Sequence, residues 1–171
     1  MKAKDKKLLL QVLGYVSLLL AVVVFFMMFL NGAVLKNDDG EVVEALKGSL
    51  ISFGGEHSIG KFNFNFLAVV GFLLPLVLAL VVQVLNLLGK GKLAGFVSIG
   101  LIVAFILSTV GCFTILSTAK FSVTVLGITA TKSLKEIGGS QLGVGAILGG
   151  VASILGILVT GAHVALPLVK K

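Results

Sequence analysis

The chain has 171 residues, of which 57% are hydrophobic and 12% charged, and its mean hydropathy is +1.16. A soluble domain of this length fills one core with a smaller apolar share, so the composition excludes an ordinary soluble protein and predicts a membrane protein. The formal net charge is +7, and every basic residue is a lysine.

Four long uncharged runs divide the chain. Each run holds more than the roughly 20 apolar residues that a helix needs to cross about 30 Å of hydrocarbon. The predicted fold is a membrane all-α four-transmembrane-helix bundle, a single integral membrane domain over residues 1–171. The spans are predicted near residues 8–30, 66–89, 93–117 and 142–168, with outer segments at 31–65 and 118–141.

The first span follows the charged stretch MKAKDKK. A cleaved signal peptide also begins with a charged stretch and an apolar run, and it is the alternative interpretation of this segment. The run from Leu8 to Leu30 has 23 residues, which exceeds the usual hydrophobic region of about 7 to 15 residues in a signal peptide. We therefore predict an anchor that is not cleaved.

The lysines predict the orientation. With a cytoplasmic N-terminus, the inner side carries a net charge of +7 and the outer side carries none. Lysines beside the span ends favour the cytoplasm, so both termini are predicted there, in a plasma membrane. The anionic inner leaflet is the predicted partner of six lysines near the termini: Lys2, Lys4, Lys6, Lys7, Lys170 and Lys171. Attraction of about 1 kcal/mol per lysine to anionic lipid makes a nucleic-acid partner unnecessary.

The two outer segments carry strand signals. The phenylalanines of KFNFNF (residues 61–66) would share one face, and so would the apolar residues of KFSVTV (residues 120–125). The Asp-Gly pair of NDDG (residues 37–40) favours a tight hairpin. We predict a small extracellular antiparallel β cap that buries the phenylalanine face against the outer ends of the bundle.

The inner turn GKGK (residues 89–92) is so short that spans two and three must form an antiparallel hairpin. Small residues at helical spacing within the spans predict the faces on which the helices pack. These residues are Gly71, Ala79, Gly100, Ala104, Ser108, Gly145, Gly149, Ser153 and Gly156.

Gln83 and Asn86 lie one turn apart near the inner end of span two. They are predicted to make intramembrane polar contacts with another span, since such amides often bond across helices. A polar site for a solute is the functional alternative.

The stretch GVGAILGGVASILG (residues 143–156) has glycines spaced much like those of a dinucleotide-binding loop. That loop needs a preceding strand, a helix that opens at the glycines and an acidic residue about 20 positions later. None of these features is evident in the sequence, so helix packing is the predicted role.

Residues able to carry chemistry are sparse. No predicted span contains Asp, Glu, Lys or Arg, and Cys112 has no second cysteine to pair with. His163 is predicted to lie at the inner interface, and the spacing of His57 and the outer acids fits neither a calcium loop nor a zinc motif. No serine, histidine and carboxylate set is apparent. The sequence therefore predicts no enzyme, no metal and no cofactor.

The predicted layout resembles the claudin-type tetraspan proteins, with a longer first outer segment rich in strand signals and a shorter second one. In that family the first outer segment carries a tryptophan-containing motif and a pair of cysteines. This chain has no tryptophan and a single cysteine, Cys112, in span three, so the resemblance implies topology alone. The lysine-only basic set, ALKGSLISFGG before span two and LGVGAILGGVASILG around the start of span four are similar to small four-span proteins of Gram-positive bacteria. This second likeness implies a bacterial plasma membrane.

Two function classes follow from the sequence. The first is a non-catalytic interaction or accessory subunit that uses its β cap and its small-residue helix faces. The second is an oligomeric channel or small-solute transporter, whose path would be lined by Gln83, Asn86, Ser108 and Thr109.

Overall fold

The computed structural model describes residues 3–167, with the side chains of residues 3, 4 and 125 left out. Lys2, Lys170 and Lys171, three of the predicted lipid contacts, lie outside the described residues. The elements in chain order are α1 (Ala3–Met27), β1 (Asn31–Lys36), β2 (Val42–Lys47), α2 (Gly48–Phe53), β3 (Gly55–His57), β4 (Gly60–Phe62), α3 (Phe66–Leu87), α4 (Gly91–Phe113), α5 (Ile115–Thr118), β5 (Lys120–Val125), β6 (Ile128–Ser133), a 3₁₀ turn (Leu134–Glu136), β7 (Ser140–Leu142) and α6 (Val144–Ala165).

Four of the helices, α1, α3, α4 and α6, are long and apolar enough to cross a membrane, which confirms the predicted tetraspan bundle. Around the bundle α1 packs on α3, α3 on α4, α4 on α6, and α6 on α1, so α1 and α4 lie across a diagonal. Val24, Phe72 and Phe105 fill the core, whereas many large apolar side chains are exposed on the outside. Such an outer surface suits lipid rather than water.

The third apolar run divides into two helices. Residues 93–117 were predicted as one span, but α4 ends at Phe113 and the short helix α5 follows. Thr114 separates them, with φ −98° and ψ 7°. Ile115 is then fully buried beneath the cap, so the apolar residues after Phe113 serve the cap core and not the span.

The predicted antiparallel β cap is present as two sheets at one end of the bundle. One sheet has the strand order β2-β1-β7 and the other has the order β3-β4-β5-β6. The NDDG stretch forms the turn that connects β1 to β2, with Gly40 at φ +81°. Because β1 pairs with β7 and β4 pairs with β5, both sheets join the segment between the first two spans to the segment between the last two. The described ends of α1 and α6, at Ala3 and Ala165, and the α3–α4 turn lie at the opposite end, called here the terminal end.

The prediction that KFNFNF forms one strand with a buried phenylalanine face was wrong. Phe62 is buried, but Phe64 and Phe66 are 60% and 71% exposed. The strand ends at Phe62 because Asn65 caps α3: its side-chain oxygen accepts a hydrogen bond from the Ala68 N–H at 3.2 Å. A helix N-cap therefore overrides the alternating pattern. In KFSVTV, by contrast, β5 forms and Phe121 is buried, while the side chain of Val125 lies outside those described.

The glycine-rich stretch also differs from its prediction. Strand β7 precedes it and α6 opens at Val144, so two of the features judged missing from the sequence are in fact present. A phosphate still has no room there. A Cβ atom at Gly145 would lie 2.5 Å from the Met27 carbonyl oxygen, and one at Gly143 would overlap the carbonyl of Asn31. The backbone of α1 and β1 occupies the space that a loop-bound phosphate would need.

Candidate functional site

The small residues predicted to mark helix-packing faces lie where helices approach one another. All except Gly100, which is half-buried, are buried: Gly71, Ala79, Ala104, Ser108, Gly145, Gly149, Ser153 and Gly156. A Cβ atom at Gly71 would lie 3.3 Å from the Cα atom of Ser108, and one at Gly156 would lie 2.5 Å from the Phe105 ring. At Gly100 the nearest atom, a methyl carbon of Leu78, is 3.7 Å away.

The hydroxyl groups inside the bundle are already occupied by other groups of the chain. Ser108 and Ser153 hydrogen bond to each other at 2.7 Å, and the hydroxyl of Thr109 donates to the Phe105 carbonyl at 2.9 Å. Thr160 donates to Ser17 at 3.0 Å and ties α6 to α1. The two hydroxyl residues predicted to line a solute path are therefore engaged in the bundle.

At the terminal end the bundle contains a cavity of about 690 Å³, called here the terminal pocket. It lies between the diagonal helices α1 and α4, with α3 and α6 as its side walls. Gly14 is buried in its wall, and a Cβ atom there would lie 3.1 Å from Nε2 of Gln83 and 3.9 Å from Nε2 of His163. The absence of a side chain at Gly14 thus leaves room beside both groups.

The terminal pocket gathers polar side chains from all four spans. Gln83 and Asn86 both line it, together with His163, Gln11, Tyr15 and two lysines, Lys7 and Lys92. Within residues 3–167 no hydrogen bond is made by the side chains of Gln83, Asn86 or His163. Gln83 and Asn86 were predicted to hydrogen bond to another span, and the described residues show no such bond. The sequence places Gln83, Asn86 and His163 on the same side of the membrane, but it does not show that they line one cavity, because that depends on how the four spans pack.

At the other end, the β5–β6 hairpin carries an apolar groove of about 690 Å³. Its walls include Phe121, Val123, Ile128 and Ile137, with Lys132 and Glu136 beside them. The hairpin turns at Leu126 and Gly127, both of which have positive φ, +51° and +79°. Leu126 is 98% exposed and Ile128 is 75% exposed, so the hairpin tip is apolar and contacts almost nothing else in the chain.

The base of this hairpin is fixed by Glu136. Its carboxylate accepts hydrogen bonds from the Ser133 hydroxyl at 2.8 Å and from the Ser133 N–H at 3.2 Å. Those two bonds, the hydroxyl first, hold the pKa of the Glu136 carboxyl below its ordinary value because they favour the charged form. The carboxylate that edges the groove is thus held in a defined position.

A third cluster links the two sheets of the cap. Oε1 of Glu44, on β2, lies 3.4 Å from Nε2 of His57, on β3, and the Ser58 hydroxyl lies 3.1 Å from Nδ1 of the same ring. Sequence reasoning found no serine, histidine and carboxylate set, because 13 positions of the sequence separate Glu44 from His57. The Ser58 hydroxyl also reaches Glu44 at 3.5 Å, so the three groups close a ring among themselves. The ring ties one sheet to the other.

Among the described residues, no three His, Cys, Asp or Glu side chains are grouped so that they could hold a metal ion. Cys112 is buried in α4. The chain matches no protein-family model, no curated protein and no solved structure.

Proposed function

We propose that this chain is a non-catalytic interaction or accessory subunit of a bacterial plasma membrane, which docks onto a partner protein through the tip of its β5–β6 hairpin. In this proposal the termini are cytoplasmic and the cap faces outward, an orientation supported by the excess of lysine at the terminal end. The layout is similar to that of claudin-type proteins in topology. All the predicted small residues except Gly100 are buried inside the bundle, which favours the cap as the docking surface.

The observation that carries the proposal is the conformation and exposure of Leu126. A left-handed backbone costs a bulky residue about 1–2 kcal/mol, and Gly, Asn or Asp would be the usual choice at such a turn. Leu126 nevertheless occupies it with φ +51° and with 98% of its surface exposed. An apolar side chain here gains nothing from the isolated chain, and burial in a partner would stabilise it.

The groove beneath the tip supports the same role. Apolar side chains line it, and Lys132 and Glu136 carry opposite charges beside them. An apolar centre with a polar rim is the usual anatomy of a protein–protein interface. The tip and groove would together receive an apolar segment of the partner.

The alternative, an oligomeric channel or small-solute transporter, finds less support in the bundle. Phe72 and Phe105 are fully buried in its core, and the hydroxyls of Ser108 and Thr109 are bonded to neighbouring helices or backbone. A path would have to run between copies of the chain. Solute flux into liposomes that depends on Gln83 and Asn86 would favour this alternative.

The test is site-specific photo-crosslinking in intact cells. A photoreactive amino acid at position 126 should capture one discrete protein, whereas the same group at Thr129, exposed on the same hairpin, should capture little of it. The variant Leu126→Asn removes the apolar side chain, and asparagine tolerates the left-handed backbone of this turn. It should abolish co-purification of the captured protein while the chain still folds. Equal capture at positions 126 and 129, adducts with lipid alone, or undiminished co-purification with Leu126→Asn would contradict the proposal.

A further inference from the structure

We propose that the terminal pocket is a binding site for one anionic phospholipid, whose phosphate is held at the pocket rim and whose acyl chains leave between α1 and α4. This inference does not depend on the proposed role of the hairpin, because the two surfaces lie at opposite ends of the bundle.

The pocket is closed at its deep end, toward the cap, and open toward the terminal end. One helical turn deeper than Gly14 and His163 lie Ser17 and Thr160, which are buried and hydrogen bonded to each other at 3.0 Å. On α4, the buried Ser98 is likewise engaged, since its hydroxyl donates to the Ala94 carbonyl at 2.8 Å. A ligand can therefore enter the cavity from the terminal end but cannot pass through the bundle.

The charge of the pocket favours an anion. Lys7 on α1 and Lys92 on α4 line it from opposite walls, and no carboxylate is among the lining residues. Lysines act as point charges toward phosphate, and basic pockets between spans bind anionic lipid headgroups in other membrane proteins. Two ammonium groups and no carboxylate among the lining residues favour a ligand with a negative charge, such as a phosphodiester.

The amides and the imidazole supply hydrogen bonds next to this charge. The side chains of Gln83, Asn86 and His163 have no hydrogen-bond partner within residues 3–167, yet all three line the cavity. Gln83 and His163 are half-buried, and a polar group removed from water without a hydrogen-bond partner is costly, so a ligand that bonds to them is favoured. The hydroxyl and ester oxygens of a glycerol headgroup are suitable partners.

The walls change from charged to apolar with depth, as an amphiphile requires. Along α4, Lys92, Phe96 and Ile99 share one face at helical spacing and all line the pocket. The seven steps along the helix from Lys92 to Ile99 rise about 10 Å, which takes a ligand from headgroup level into hydrocarbon. Phe96 is 77% exposed, so the wall beyond the lysine is open to an acyl chain. A soluble phosphate ester would leave this apolar wall unused.

The experiment uses the full chain, purified in detergent and freed of lipid, with binding followed by native mass spectrometry. Dioleoyl phosphatidylglycerol should bind as one tight adduct, and dioleoyl phosphatidylcholine should bind far more weakly. Replacing both pocket lysines, Lys7→Gln with Lys92→Gln, should weaken phosphatidylglycerol binding about thirtyfold if each contributes about 1 kcal/mol. The matched control, Lys47→Gln with Lys61→Gln at the cap end, removes the same charge and should change it little.

A second variant separates the site from general attraction to positive charge. Gln83→Leu with Asn86→Leu leaves the net charge unchanged and should still weaken binding at least severalfold. Equal losses for the pocket and cap lysine pairs, or no loss for the uncharged variant, would overturn the proposal.

A competition arm distinguishes the lipid from a free phosphate ester. Soluble glycerol 3-phosphate, added at the same concentration as phosphatidylglycerol, should fail to displace it. Displacement at equal concentration would show that the pocket recognises the soluble ester, and the lipid proposal would then be wrong. A photoreactive phosphatidylglycerol should in addition label α1 and α4 beside the pocket, and even labelling of all four spans would count against the site.

Discussion

The hydroxyl oxygens of Ser108 on α4 and Ser153 on α6 lie 2.7 Å apart, and the Ser153 hydroxyl also lies 2.7 Å from the Gly149 carbonyl oxygen. Ser153 has one proton, and the backbone carbonyl can only accept. Ser108 must therefore donate to Ser153, which in turn donates to Gly149. The pair is a directed chain of hydrogen bonds between two spans.

This direction predicts unequal costs for the two alanine substitutions. Ser108→Ala leaves Ser153 with its acceptor, so it should lower the free energy of unfolding by about 0.6 kcal/mol, the average for bonds between spans. Ser153→Ala leaves the buried Ser108 hydroxyl without this acceptor and should cost up to about 2 kcal/mol. Unfolding in mixed detergent micelles measures both. Equal costs, or a larger cost for Ser108→Ala, would contradict the assigned direction.

Among the packing glycines of α6, Gly156 should be highly sensitive to substitution. A Cβ atom there would lie 2.5 Å from the ring of Phe105, which is itself fully buried. Gly156→Ala should therefore cost about 1–3 kcal/mol through overpacking. Gly161→Ala, on the same helix with nothing within 4 Å, is the matched control and should be neutral or slightly stabilising. The same micelle unfolding experiment separates them, and similar values for both would refute this explanation.

Asn65 has two separable roles at the start of α3. Its side-chain oxygen caps the helix, while its amide donates to the Thr118 hydroxyl at 3.1 Å. Asn65→Ala loses both and should cost more than the roughly 1 kcal/mol of a cap alone. Asn65→Asp keeps the acceptor and should recover part of that loss. Thermal unfolding measures these costs, with the exposed Asn63→Ala as the control. Equal stability of all three variants would contradict the two roles assigned to Asn65.

The Ser133–Glu136 contact should be sensitive to acid. Its hydrogen bonds lower the pKa of the folded carboxyl, so their stabilisation is present above the ordinary carboxyl pKa and is lost as pH falls through the lowered folded value. Amide exchange at Ser133 should accelerate over that acid range. In Glu136→Gln the same amide should exchange with no such pH step. A step that persists in the variant would assign the effect to another group.

Orientation can be measured by labelling single cysteines in intact cells, with Cys112→Ala as background. An impermeant thiol reagent should label Asp38→Cys, in the cap turn, and spare Gly91→Cys, in the α3–α4 turn. Both sites are exposed, and nothing lies within 4 Å of a Cβ atom at Gly91. Labelling of position 91 alone would place the cap in the cytoplasm.

The sequence was sufficient for the spans because length and hydropathy are summed over many residues. The NDDG hairpin and the α3–α4 turn were also predictable, since each depends on a few neighbouring residues. KFNFNF was misread because its alternation competes with a single capping residue, Asn65, whose effect depends on α3. Local patterns are reliable where no neighbouring element contests them.

The sites were less accessible to sequence reasoning. Gln83 and Asn86 were recognised as polar residues in a span, but the pocket also needs His163 from α6 and Lys7 from α1. Glu44 and His57 meet only because two sheets meet. Leu126 could have been noticed, since Leu-Gly stands where a hairpin usually has Asn-Gly or Asp-Gly. Packing of the whole fold decides which side chains from distant segments come together. Patterns in a single sequence do not reveal that packing.

The pairing of β1 with β7 and of β4 with β5 has a consequence for biosynthesis. When the ribosome has made the first two spans, β1 and β4 already exist, but the strands that complete them have yet to be translated. Until then each strand would present unpaired backbone groups at a sheet edge. Such exposed edges are prone to aggregate with other chains. The cap closes only when the last span is about to follow, so a nascent chain truncated before residue 140 would be marked by an open edge that quality-control proteases and chaperones can detect.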